Sequence, residues 1–72
     1  MGMTTNAKMF DREPTTNEQY AFCVEHDKGI VMYRGDWKTS CEWVITTDSL
    51  EPHFRHEGYK VGMAIYRDWF ED

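Results

Sequence analysis

Leucine is almost missing from this chain: Leu50 is the only one. Large rings must fill the core in its place, and three Trp, four Tyr and four Phe make up 15% of the residues. Cysteine is scarce too. Cys23 and Cys41 are the only two, too few for the disulfide framework of a small secreted domain. No basic segment followed by an apolar run opens the sequence, so no secretion signal is read. No apolar stretch approaches the roughly 20 residues that span a bilayer. The expected setting is therefore cytoplasmic and reduced, with no membrane partner.

Bases are outnumbered: 8 Lys and Arg against 13 Asp and Glu give a net charge of −5. Phosphate backbones are held by basic stripes, so direct nucleic-acid binding is not expected. A basic protein surface is the better partner, including that of a nucleic-acid-binding protein. No glycine-rich phosphate loop is present, since no base follows Gly58 and Gly62 at the required spacing. Neither cysteine sits at a helix start or among bases that would activate it. The chain reads as a non-enzyme without catalytic residues or a cofactor.

At 72 residues the chain is one domain at most. Cores of this size rarely supply more than about 3–5 kcal/mol unaided, which favours a partner, a second copy or a metal. Residues 1–17 are polar, broken by Pro14, and lack a sustained period. They read as a flexible arm from which Met9 and Phe10 could dock. Residues 18–72 form the domain.

The segment "EQYAFCVEH" reads two ways. As a strand it puts Tyr20, Phe22 and Val24 on one face. As a helix it has a capping box, Thr15 with Glu18. "HDKG" before "IVMYR" suits a hairpin with Gly29 at a left-handed position, so the strand is preferred. "IVMYR" is a second strand, and "WKTSCEWVITT" a third with Trp37, Cys41, Trp43 and Ile45 on its apolar face. "DSLEPHFRHEG" changes to a helical period. Asp48 would cap it, Leu50 and Phe54 share a face, and Gly58 ends it. "YKVGMAIY" resumes alternation, with Tyr59, Val61, Met63 and Ile65 on one face. The expectation is an α+β fold: about four antiparallel strands in the order β-β-β-α-β, one helix packed on one face, and the mobile N-terminal arm.

Two sets of residues could carry function. Cys23, His26, Cys41, His53 and His56 have zinc-ligand chemistry and define an alternative, a zinc-stabilised module. A strand at residues 18–26 would separate Cys23 from His26, and a helix would join them. The preferred set is a partner surface. Trp37, Tyr66, Trp69 and Phe70 would supply anchoring rings, and Glu42, Glu51, Glu57, Asp68, Glu71 and Asp72 would steer a basic protein partner. The function expected is an adaptor or inhibitor that binds protein. By analogy of size and charge, it would suit a virus-encoded inhibitor of a host enzyme or defence complex, acting in host cytoplasm. A homodimer through a sheet edge or exposed rings fits either set.

Overall fold

The computed structural model describes residues 6–71. The strands are β1 (Ala7–Phe10), β2 (Lys28–Arg34), β3 (Trp43–Thr46) and β4 (Tyr59–Tyr66). The helices are α1 (Thr16–His26) and α2 (Glu51–His56), with 3-10 turns at Asp48–Leu50 and Arg67–Phe70. The four strands pair antiparallel in the spatial order β1-β3-β2-β4. The fold is α+β with a four-stranded antiparallel sheet, as expected, but its elements enter differently.

Residues 16–26 are a helix, not the preferred strand. The capping box is complete: the Glu18 N–H donates to Thr15 Oγ1, and the Thr15 N–H donates to the Glu18 carboxylate at 2.8 Å. Arg12 also donates to both Glu18 oxygens at 2.7 Å. These bonds hold the Glu18 carboxyl at a pKa of about 2, the Arg12 bond being the largest cause. The helix buries Gln19, Phe22 and Cys23. It ends at Asp27, which takes a positive φ of 70° and donates its N–H to Cys23 C=O at 2.7 Å. Gly29 is therefore not the turn residue. It lies in β2 beneath α1, where an added Cβ would stand 2.9 Å from the Phe22 ring and 3.0 Å from Ile45.

The fourth strand comes instead from the expected arm. Ala7–Phe10 pairs with Thr46–Trp43 along β3, so this part of the expected arm belongs to the sheet. Residues 1–5 lie outside the described residues. β3 is consequently central and all four of its residues are buried, where a half-buried strand was expected. The sheet is covered on both faces, not one. Phe22, Cys23, Val31, Trp43, Ile45 and Ile65 form the core beneath α1. Met32, Val44, Phe54 and Tyr59 form a second core beneath α2, with Leu50 packed against it. Burying both faces of a small sheet puts the scarce aliphatics where each removes most area from water.

Two strands differ in extent or phase. The third strand begins at Trp43 rather than Trp37 because Asp36 organises a turn: its side chain accepts from the Lys38 N–H, and its C=O from Thr39 and Ser40. Such local bonds compete with a sheet ladder. Cys41, expected in the apolar face, is thereby exposed. In β4 a bulge opposite Val31 and Met32 sets Val61 across from Met32 and Met63 across from Val31. The extra residue, Gly62, resets the alternation. Tyr59 packs into the α2 core, while Met63 and Ile65 join the α1 core. Trp37 lies over Gly62, at 2.5 Å from where a Cβ would be. The helix at Glu51 has no side-chain cap. The Asp48 carboxylate instead meets Lys28 Nζ at 2.6 Å.

Candidate functional site

The expected partner residues divide into two groups. Glu42, Glu51 and Glu57 are occupied within the chain. Glu42 accepts from Arg34 Nε at 3.0 Å, and Glu51 from Arg55 Nε at 2.7 Å. The Glu57 carboxylate lies 3.5 Å from His53, and its C=O accepts from Arg34 at 3.1 Å. Arg34 also stands over the Tyr59 ring, 4.7 Å from its centroid. These acids hold the β2–β3 end and α2 together. Trp37 is likewise structural in part: its ring meets Tyr33 and Trp43 edge-on at 5.3 and 5.1 Å. The structure places these residues apart from those at the end of β4.

The second group is brought together at the end of β4. The Arg67 N–H donates to Asp27 C=O at 2.8 Å, continuing the β2–β4 ladder by one residue. The chain then turns in Arg67–Phe70 and lies against α1. Phe70 packs on the α1 core and meets the Tyr20 ring at 5.7 Å. Trp69 points away and meets Tyr66 edge-on at 5.2 Å. Arg67 Nε donates to Glu71 at 3.0 Å, and Arg67 lies 3.6 Å from Asp27, so its guanidinium pKa is raised, mainly by Glu71. Asp68 is exposed. Asp72 lies outside the described residues.

Sequence reasoning missed two members of this face. Tyr20 and Val24 are one helical turn apart on α1 and point the same way. They are 36% and 46% exposed, and Trp69 is 61% exposed. Val24, Tyr20 and Phe70 thus run from α1 onto the C-terminal turn, with Asp27 and Glu71 near them, while Trp69 lies on Tyr66 at the end of β4. A helical reading of residues 16–26 would have found the pair by its four-residue spacing.

The zinc set is not gathered. Cys23 is fully buried beneath α1, where burial raises its thiol pKa. Helix α1 does bring Cys23 and His26 onto neighbouring positions, but His26 stacks on Phe22 at 4.4 Å. His53 lies beside Phe54 at 5.3 Å, on the opposite side of the sheet. Among the described residues no group of three or more His, Cys, Asp or Glu side chains is placed to hold a metal ion. Among them, too, no helix is long and apolar enough to cross a membrane. A shallow hollow near the other end of the sheet is lined by Phe10, Arg12, Glu18, Arg34, Cys41 and Glu42 among others. Its acids and bases are largely paired with one another. The sequence matches no family model, no curated protein and no solved structure.

Proposed function

We propose that this protein is a non-enzymatic binding module, an adaptor or inhibitor. It would engage a basic protein surface through the face built by α1 and the C-terminal turn. The observation that carries this reading is the exposed pair Val24 and Tyr20 on α1, with Phe70 against Tyr20 and Trp69 exposed on the same C-terminal turn as Asp68 and Glu71. Exposed aromatic residues supply large contact area at small entropic cost, and surrounding charge steers the encounter and selects the partner. Arg67 pairs with Glu71 at 3.0 Å and lies 3.6 Å from Asp27, which gathers these two acids beside the turn.

The test compares the wild type with two variants, Tyr20→Ala/Trp69→Ala and Asp68→Lys/Glu71→Lys. Each is used to capture protein from extracts of the source cell, with far-ultraviolet dichroism to verify folding. The expected result is a partner that the wild type retains, that both variants lose, and that raised salt releases. If everything the wild type retains is retained equally by both folded variants, the face is not the binding surface.

A further inference from the structure

The sheet has two edges, and they are built differently. β1 is short and carries Lys8 beside an ion-paired Arg12. Short, charged edges resist strand addition. β4 is twice as long, eight residues. Between Lys60 and Arg67 it holds "VGMAIY", with no charge and no proline. The bulge at Gly62 protects its first half. Its second half, Met63–Tyr66, has neither bulge nor charge.

The ladder fixes which backbone groups this edge presents. The Arg67 N–H bonds Asp27 C=O, which makes that pair a hydrogen-bonded one. Antiparallel pairs alternate, so Ile65 bonds Gly29, while Ala64 and Tyr66 stand in the intervening pairs. Ala64 therefore turns both its N–H and its C=O away from β2, and Tyr66 turns its N–H the same way. The outward groups flank Ile65 symmetrically.

We infer that β4 pairs antiparallel with β4 of a second copy, about a two-fold axis at Ile65. The Tyr66 N–H of each copy then donates to Ala64 C=O of the other. Directly opposed residues share a face, so the small Ala64 of one copy receives the Tyr66 ring of the other, twice. Tyr66 is 44% exposed and is already backed by Trp69. Charge fits the same arrangement: the antiparallel run carries the Lys60 end of each edge toward the Asp68 end of the other. The result is one eight-stranded sheet. The axis stands perpendicular to it, so both α1 faces look the same way and display the proposed binding surface twice. The pairing shares Trp69 and Asp68 with that surface but not Tyr20 or Val24, so the backbone amides of Ala64 and Tyr66 report on the pairing alone and Tyr20 on the binding surface alone.

Standard interfaces bury about 800 Å² per partner, a large share of the 4868 Å² this chain exposes. A contact confined to one strand edge is smaller, so the dimer is reversible. Sedimentation equilibrium from about 5 to about 500 µM chain should show the mass rising from 8.6 kDa toward twice that value. Amide exchange at Ala64 and Tyr66 should slow with concentration, while that of Ile65, bonded within the monomer, stays constant. Tyr66→Glu should return the monomer at unchanged dichroism. Ala64→Pro is the second variant, because proline there removes an outward N–H and no bond to β2. A mass of 8.6 kDa throughout, a dimer whose Ala64 and Tyr66 amides stay fast, or a dimer that survives Tyr66→Glu would each overturn the inference.

Discussion

Replacing Gly29 with alanine tests how α1 seats on the sheet. The added methyl would fall 2.9 and 3.0 Å from two Phe22 ring carbons and 3.0 Å from Ile45 Cγ2, where ordinary contacts begin near 3.5 Å. Phe22 and Ile45 are 5% and 0% exposed, so neither can swing into solvent, and the ring or the helix must shift. Overpacking of this kind costs about 1–3 kcal/mol. Alanine recovers about 0.5–1 kcal/mol through the smaller backbone entropy it loses on folding. The net expectation is a loss centred on about 1 kcal/mol and no more than about 2.5 kcal/mol. At this chain length each kcal/mol lowers Tm by about 4–8 °C. Urea unfolding followed by tryptophan fluorescence reads the loss, since Trp43 is 1% exposed. A double-mutant cycle supplies the decisive comparison. Phe22→Leu removes the ring atoms nearest the new methyl, so Gly29→Ala should cost little on that background. A turn glycine unrelated to Phe22 would give additive effects, within about 0.5 kcal/mol. Additivity would refute the packing of α1 over Gly29 and reopen the hairpin reading of residues 18–34.

Two further outcomes follow from local chemistry. Thr15→Ala should cost about 1 kcal/mol by thermal unfolding, because it removes half of the capping box. The other half is pH-sensitive. Glu18 titrates at about 2 when folded against an ordinary 4.5, so its stabilisation is complete above pH 4.5 and is lost as pH falls toward 2. Glu18→Gln should flatten Tm against pH across that window, and an unchanged slope would contradict the Arg12–Glu18–Thr15 arrangement. The two thiols should separate in a native-state labelling experiment: Cys41 is exposed and Cys23 is fully buried with its pKa raised. One thiol should react within the mixing time and the second only at the rate of unfolding. Two fast thiols would mean that α1 does not cover Cys23.

The sheet was legible where pattern and pairing agreed. β2, the end of β3, the Leu50–Phe54 turn and β4 all follow from alternation, a four-residue spacing and Gly58 at a φ of +99°. Two features left no local trace. β1 is the four residues "AKMF" in a polar segment, and only the ladder to β3 orders it. The β4 bulge is invisible to alternation, because Tyr59, Val61, Met63 and Ile65 alternate correctly in sequence and diverge only when paired with β2. Each depends on a partner strand distant in the chain, which a window of neighbours does not contain.

The error at α1 has a different origin, and it bears on the proposed binding face. A helix at residues 16–26 should repeat its apolar residues every three or four positions. Its buried positions are Gln19, Phe22 and Cys23, of which only Phe22 is strongly apolar. Gln19 is accommodated because its side chain donates to Pro14 C=O at 3.2 Å. The residues that created the strand-like alternation with Phe22 are Tyr20 and Val24, and both are exposed. A helix serving only its own core would carry polar residues there. Places where local pattern contradicts the fold tend to be places under a second constraint. Here the contradiction falls on Tyr20, which holds Phe70, and on Val24, which extends the same surface. The two residues that disguised the helix are therefore ones its own core does not need: Tyr20 meets Phe70 of the C-terminal turn, and both Tyr20 and Val24 are exposed on the face proposed for binding.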